Sequence, residues 1–334
     1  MLKELIVVSS LALPLLASAQ SIDPVLISNV PQVVEPLPQA IELPSADPTI
    51  KTAPSQNKLN NLWGEDALAR QGLLKLRSAA ALVIDQEEGQ LLYAKNTDAV
   101  MPIASITKLM TAMVVLDAGL PLDEPITISG ADVDLLKGTR SRLKLGLTLT
   151  RRELLKLALM ASENRAAAAL SRVYPGGTAT FVQAMNEKSK NLGMGNTRFL
   201  DSTGLNPGNV STAHDLALMV NAGYQYPLIR EFTTSSSHNI ALMGRRFHRV
   251  VAFRNSNGLV RGGHWEIGLS KTGYISEAGR CLVMQATIGT KPVIIVLLDS
   301  WGKLSRIADA NRIKRWVEEL GVTPNLGTHR PRMG

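Results

Sequence analysis

Ser105 stands three residues before Lys108 in PIASITKLM, residues 102–110. On a helix that spacing puts both side chains on one face. A serine hydroxyl is a weak nucleophile and needs a base beside it. An ordinary lysine, with a pKa near 10.4, is neutral in only about one molecule in 2,500 at pH 7. Burial and a second cation lower that pKa and make the amine a usable base. A serine near a helix start also has its backbone N–H where an oxyanion can bind. Alone, the pair is weak evidence and reads more readily as an N-terminal serine with a surface lysine. Ser162-Glu163-Asn164 separates two apolar runs. Ser162 can relay a proton between nucleophile, base and leaving group; Asn164 can donate to a substrate amide and hold the lysine. Serine and asparagine are also good helix caps, so a plain cap stays open. Lys271-Thr272-Gly273 lies on a strand-like run. Glycine inside a strand weakens pairing and marks close backbone approach, which a ligand along the edge would explain. Lys271 supplies a second cation that helps depress Lys108, Thr272 can bind a carboxylate, and Tyr274 can give a second oxyanion N–H from its backbone. A strand-to-turn boundary is the bland alternative.

The elements that must hold these residues are legible as patterns. Residues 80–85 and 90–95 read as two strands joined by a turn ending on Gly89. After Pro102 the sequence is helix-like to a glycine stop at Gly119. Thr150 and Glu153 form a capping box ahead of a leucine-rich, deeply buried helix. Further helical patterns follow Ser162, at about 178–192, and at 212–222 behind Ser211-Thr212. Beyond residue 235 the texture turns β-branched: RFHRVVAFRN, WEIGLSKTGYI, RCLVMQATIG and KPVIIVLLDS read as successive strands, and KLSRIADANRIKRWVEELG as a closing amphipathic helix. The expectation is an α+β domain whose antiparallel sheet comes from both chain ends, flanked by helices, around a mainly helical middle. The last strands follow each other too closely for a wholly parallel sheet.

Ser105-x-x-Lys108, Ser162-x-Asn164 and Lys271-Thr272-Gly273 occur in that order, on helix start, helix junction and strand. That is the motif set of class A β-lactamases and penicillin-binding proteins. Over roughly residues 75–320 the chain resembles the low-molecular-mass penicillin-binding proteins, the D-alanyl-D-alanine carboxypeptidase and endopeptidase family. FLDSTGLNPGNVSTAHDLALM and KTGYISEAGRCLVM match as well, and the second makes the chain most similar to the penicillin-binding protein 7 type. One departure is His214, where many relatives carry arginine; it sits away from the three motifs. The resemblance implies a β-lactamase/DD-peptidase-like fold and an acyl-serine hydrolase. Ser105, Lys108 and Ser162 would be catalytic, and Asn164, Lys271, Thr272, Gly273 and Tyr274 would bind substrate. Peptidoglycan stem peptides and cross-links would be the substrates and β-lactam antibiotics covalent inhibitors, with no cofactor.

Class A β-lactamases add a deacylating glutamate in an E-x-x-L-N loop. The nearest match here, Ser202-Thr203-Gly204-Leu205-Asn206, has serine in that place. Glu163 is no substitute by position, so a DD-peptidase reading outranks a lactamase. Carboxypeptidase relatives commonly carry a second β-rich domain and an amphipathic C-terminal anchor. The residues after Lys271 are used by strands and one helix, and the tail GVTPNLGTHRPRMG has no amphipathic face. That favours an endopeptidase over a carboxypeptidase. The five histidines show no H-x-x-H or H-E-x-x-H spacing, so a zinc peptidase is unsupported.

The ends of the chain read differently. MLKELIVVSSLALPLLASAQ has an early lysine, an apolar run of about 12 residues and an Ala17-Ser18-Ala19 cleavage pattern. It is too short to span a bilayer, which takes about 20, so residues 1–19 are expected to be a secretory leader and the mature protein periplasmic, without a stable membrane anchor. Residues 20–57 hold seven prolines and no helical period and are expected to be a linker. The domain is expected over 58–325, with a flexible tail at 326–334. The linker carries net −3 and the leader's Lys3 and Glu4 cancel, so the rest of the chain carries +11. A basic surface suits an anionic partner. Export and the lack of any nucleic-acid-binding signature argue against nucleic acid; an acidic wall polymer fits, and so does a surface kept basic for solubility. The single cysteine, Cys281, lies in an apolar run and reads as a buried strand position.

Overall fold

A computed structural model describes residues 74–322, apart from 245 and 246. The expected leader, the Pro-rich linker, the start of the expected domain and the tail at 326–334 lie outside the described residues. In chain order the elements open with β1 (Ser78–Asp85), β2 (Leu91–Lys95), β3 (Met101–Pro102) and α1 (Lys108–Asp117). The middle holds β4 (Pro125–Thr127), β5 (Thr148–Thr150), α2 (Arg151–Met160), α3 (Asn164–Arg172), α4 (Gly177–Asn191), β6 (Val210–Ser211), α5 (Ala213–Tyr224) and α6 (Pro227–Thr234). Then come β7 (Ser237–Gly244), β8 (Phe247–Arg254), α7 (Gly258–Gly262), β9 (Glu266–Ile275), β10 (Gly279–Ile288), β11 (Lys291–Ser300) and α8 (Ser305–Val322).

Five strands form one sheet in the order β2-β1-β11-β10-β9, every pairing antiparallel. The two chain ends thus meet at its centre, where Val83 faces Ile295. Antiparallel sheets often leave one face wet and show alternating polarity. Here the strands read as unbroken apolar runs because both faces are covered. Ile294, Val296 and Leu298 of β11 join the core beneath α5, while Val293, Ile295 and Leu297 pack with Ile313, Trp316 and Val317 of α8. Asp309, fully buried on α8, pins that layer to β1. Its carboxylate accepts from Ser78 N at 2.8 Å, Ser78 Oγ at 2.7 Å and Arg77 N at 3.0 Å, and pairs with Arg312.

The helical middle lies on the other face. α1 is KLMTAMVVLD, and its first eight residues are all buried, including Lys108. A helix apolar all round belongs in a core; a charged residue at its start is carried in with it. The Thr150–Glu153 capping box forms as expected: Thr150 Oγ1 accepts from Glu153 N at 3.1 Å, and the Glu153 carboxylate accepts from Thr150 N at 2.8 Å. Leu154, Leu155, Leu157 and Leu159 of α2 are buried, and truncating one such leucine to alanine costs about 2–5 kcal/mol.

Three expectations are corrected. The run expected at 246–255 contains a strand, β8, but that strand pairs with the unanticipated β7 in a separate hairpin instead of joining the main sheet. The helix expected after Pro102 starts only at Lys108; Ala104–Thr107 is a tighter 3-10 turn. α3 is capped by Glu163, which accepts from Arg165 N, rather than by Ser162 or Asn164. No helix among the described residues is long and apolar enough to cross a membrane.

Candidate active site

The 3-10 turn that carries Ser105 is held from two sides by glycines. Gly204 sits at φ +77°, and a Cβ there would lie 1.9 Å from the Ala104 carbonyl oxygen. Gly273 of β9 presses from the other side: a Cβ would meet Ile103 O at 2.8 Å and Ser105 N at 3.3 Å. The close approach expected at Gly273 is therefore made by the serine's own turn. It brings β9 against the Ser105 backbone, with Tyr274 one residue further along. The Tyr274 ring is exposed, with Arg280 stacked 4.6 Å from its centroid. Among the described residues only four non-glycines have positive φ, and two of them are Ala104 (+48°) and Ser162 (+59°). Such conformations cost about 1–3 kcal/mol and cluster where function fixes a side chain.

Lys108 lies one turn on from Ser105. Its Nζ donates to Ser105 Oγ at 2.9 Å, Asn164 Oδ1 at 2.7 Å and the Thr203 carbonyl at 2.6 Å. Burial pushes its ammonium down to about 7, against Asp201 and Glu163, which hold the proton on. At that value about half the molecules carry a neutral amine at pH 7. Lys271 is also fully buried, 1% exposed. Its Nζ donates to Ser162 Oγ at 2.8 Å and to the Thr272 carbonyl at 2.9 Å. Burial first, then the charges of Lys108 and Arg306, push it well below the ordinary lysine range. Burial is thus the main cause of the shift at both amines, and the repulsion between the two ammonium groups acts on the pair.

All three motifs thus meet. Asn164 Oδ1 touches Lys108, and its Nδ2 donates to Thr139 Oγ1 at 3.0 Å. Thr272 Oγ1 donates to Ser256 Oγ at 2.7 Å. Ser202, in the place of a lactamase glutamate, turns inward: its Oγ donates to Ala167 O and Ser171 Oγ. The nearby Asp201 carboxylate is taken up by the N–H groups of Thr203, Gly204 and Asn206. His214 lies on α5 beside Asp215, its N–H donating to Thr97 O, away from these contacts.

Several supporting residues have no motif of their own. Thr203 contributes a backbone carbonyl, for which sequence holds no signal. Asn209 ties the Thr203 loop to the serine turn, donating to Thr107 Oγ1 at 3.0 Å and Asp201 O at 2.9 Å. Arg306 of α8 donates to the Gly273 carbonyl at 3.2 Å. Chemically, the site offers a nucleophilic hydroxyl beside an amine that loses its proton near neutrality. A second serine–lysine pair faces it, and an edge strand lies alongside. Those are the parts of an acyl-transfer site.

That geometry defines a class: serine acyl-enzymes in which lysine replaces the usual histidine base. Within it, residues 67–302 match the D-alanyl-D-alanine carboxypeptidase family model, and the chain belongs to that family. It is 50% identical over 249 residues to a D-alanyl-D-alanine endopeptidase of Pseudomonas aeruginosa, covering 75% of this chain and 80% of the relative. It is 46% identical over 250 residues to a D-alanyl-D-alanine endopeptidase of Escherichia coli, with the same coverage. Among solved structures it superposes on a Streptomyces DD-transpeptidase with TM-score 0.68 and 29% identity, over 72% of this chain and 97% of that one. It also superposes on a Listeria monocytogenes penicillin-binding protein in its ampicillin-bound form, with TM-score 0.61 and 32% identity, over 73% and 98%.

Proposed function

We propose that the protein is a periplasmic serine D-alanyl-D-alanine endopeptidase that hydrolyses cross-links in peptidoglycan and is acylated by β-lactams. The observation that carries this reading is the buried Lys108 amine, 2.9 Å from Ser105 Oγ and titrating at about 7. In its neutral form the contact reverses and the hydroxyl donates to nitrogen. Lys108 takes the proton as Ser105 Oγ attacks the D-alanyl carbonyl carbon. Backbone N–H groups of Ser105 and Tyr274 hold the oxyanion. The C–N bond then breaks, and Ser162, beside Lys271, passes a proton to the leaving amine. Water hydrolyses the acyl ester, giving a carboxylate and restoring the Ser105 hydroxyl. Asn164, Thr272 and Gly273 line the peptide's path.

The endopeptidase names of the two relatives favour cross-links as substrate. The family's name keeps carboxypeptidase action on pentapeptide stems as the second reading. The leader-like pattern at residues 1–19 supports a reaction outside the cytoplasm, carried out by a domain proposed to span 58–325. Chromatography of muropeptides after digestion of sacculi separates the readings. Loss of cross-linked dimers is expected; loss of pentapeptide monomers alone would mean a carboxypeptidase.

A further inference from the structure

The contacts around Ser105 close on themselves. Ser105 Oγ meets Lys108 Nζ, Lys108 Nζ meets Asn164 Oδ1, and Asn164 Nδ2 meets Thr139 Oγ1. Two residues back along the chain, Lys137 Nζ pairs with the Glu277 carboxylate. From Glu277 the chain returns in four residues to Gly273, which lies against the Ser105 backbone. Lys271 Nζ and Ser162 Oγ bridge the same two walls at 2.8 Å and form the floor. The Lys137 loop is itself built. Asp134 accepts from the N–H groups of Leu136, Lys137 and Thr139, and Arg142 stacks 4.0 Å from the Phe253 ring. Lys137 holds the Glu277 carboxyl down at about 2, with help from Ser276, so both partners are charged at neutral pH.

We propose that the Lys137–Glu277 ion pair is a strap across the active-site mouth whose opening decides whether a substrate tethered at both ends is admitted. Every other link in the ring is covalent chain, backbone packing or a hydrogen bond with a buried or half-buried partner. The strap alone joins two long side chains that reach solvent, 26% and 39% exposed, and such pairs are weak and screened by salt. A small β-lactam or a free peptide end can pass beneath a closed strap. A cross-link inside a sacculus cannot be threaded, because each stem continues into a glycan strand. The ring must open for it, at the strap. This inference rests on the endopeptidase reading of the site.

The test uses the full chain as Lys137→Cys/Glu277→Cys, bridged by a short bis-maleimide or capped with a monofunctional maleimide. Cys281 is fully buried and does not compete. The bridged enzyme is expected to be acylated by fluorescent penicillin as fast as the capped one. It should release at least about tenfold less product from intact sacculi. Equal sacculus cleavage by the two forms would overturn the strap. So would loss of penicillin acylation on bridging, which would mean a block to every ligand. A capped enzyme that is acylated yet cuts no sacculi would overturn the endopeptidase reading instead, and the strap with it. Unbridged Lys137→Ala or Glu277→Ala should raise sacculus cleavage about two- to fivefold, as expected for losing one weak pair. The double swap Lys137→Glu/Glu277→Lys should return it to the wild-type value.

Discussion

In the proposed mechanism, the proton on Lys108 sets the pH at which this enzyme can be acylated. Lys108 must be neutral to accept the Ser105 proton, and burial brings its pKa to about 7. The sign follows directly: the protonated form is inactive, so the rate rises as pH passes upward through that value. One amine titrating there is neutral in about one molecule in eleven at pH 6 and one in a hundred at pH 5. The second-order rate of acylation by fluorescent penicillin should therefore fall about tenfold for each unit below 6 and level off above 8. Asp201 and Glu163 keep the proton on, so Glu163→Gln should move the midpoint to lower pH and speed acylation at pH 6. Lys108→Arg, charged at every accessible pH, should abolish acylation throughout. Stopped-flow or gel-based labelling between pH 5 and 9 reads all three. A flat wild-type profile, a midpoint near 10, or an upward shift in Glu163→Gln would refute the assignment of Lys108 as base.

Other consequences can be measured separately. Gly273→Ala places a methyl 2.8 Å from the Ile103 carbonyl oxygen and 3.3 Å from Ser105 N; the serine turn must move, and acylation should drop at least about tenfold in a protein that still folds by circular dichroism. Asp309→Asn turns an acceptor of Ser78 and Arg77 N–H groups partly into a donor. It should cost about 3 kcal/mol in chemical denaturation, with acylation per folded molecule unchanged. The Cys281 thiol is buried and pushed up to about 11 chiefly by desolvation. Iodoacetamide should label it only after unfolding, and labelling of native protein would contradict the packing of β10.

What the sequence made legible was whatever has a side-chain signature or a period. The three motifs name Ser105, Lys108, Ser162, Asn164 and Lys271 directly, and the structure gathers them into two hydrogen-bonded sets, Ser105–Lys108–Asn164 and Ser162–Lys271. β10 and β11 announced themselves because both their faces are buried, and α2 because of its capping box. The misses have physical causes. β8 has a strand's composition, but composition does not say which edge a strand pairs with. The serine turn looked helical because its apolar residues, Ile103, Ile106 and Leu109, keep a helical spacing. What breaks the helix is the positive φ of Ala104, fixed by Gly204 about a hundred residues away. The third contact of Lys108 is a main-chain carbonyl of Thr203, and a carbonyl is common to every residue. Both causes of a low Lys108 pKa, burial and a second cation, could be named from sequence, but the extent of burial depends on the whole fold.

The central claim is that Ser105 forms the acyl-enzyme, with Ser162 beside it serving only in proton transfer. Mass spectrometry of peptides from the penicillin-treated protein tests this most directly. The account predicts a penicilloyl increment on the peptide that contains Ser105, absent in Ser105→Ala. An adduct on Ser162, or one that persists in Ser105→Ala, would contradict it.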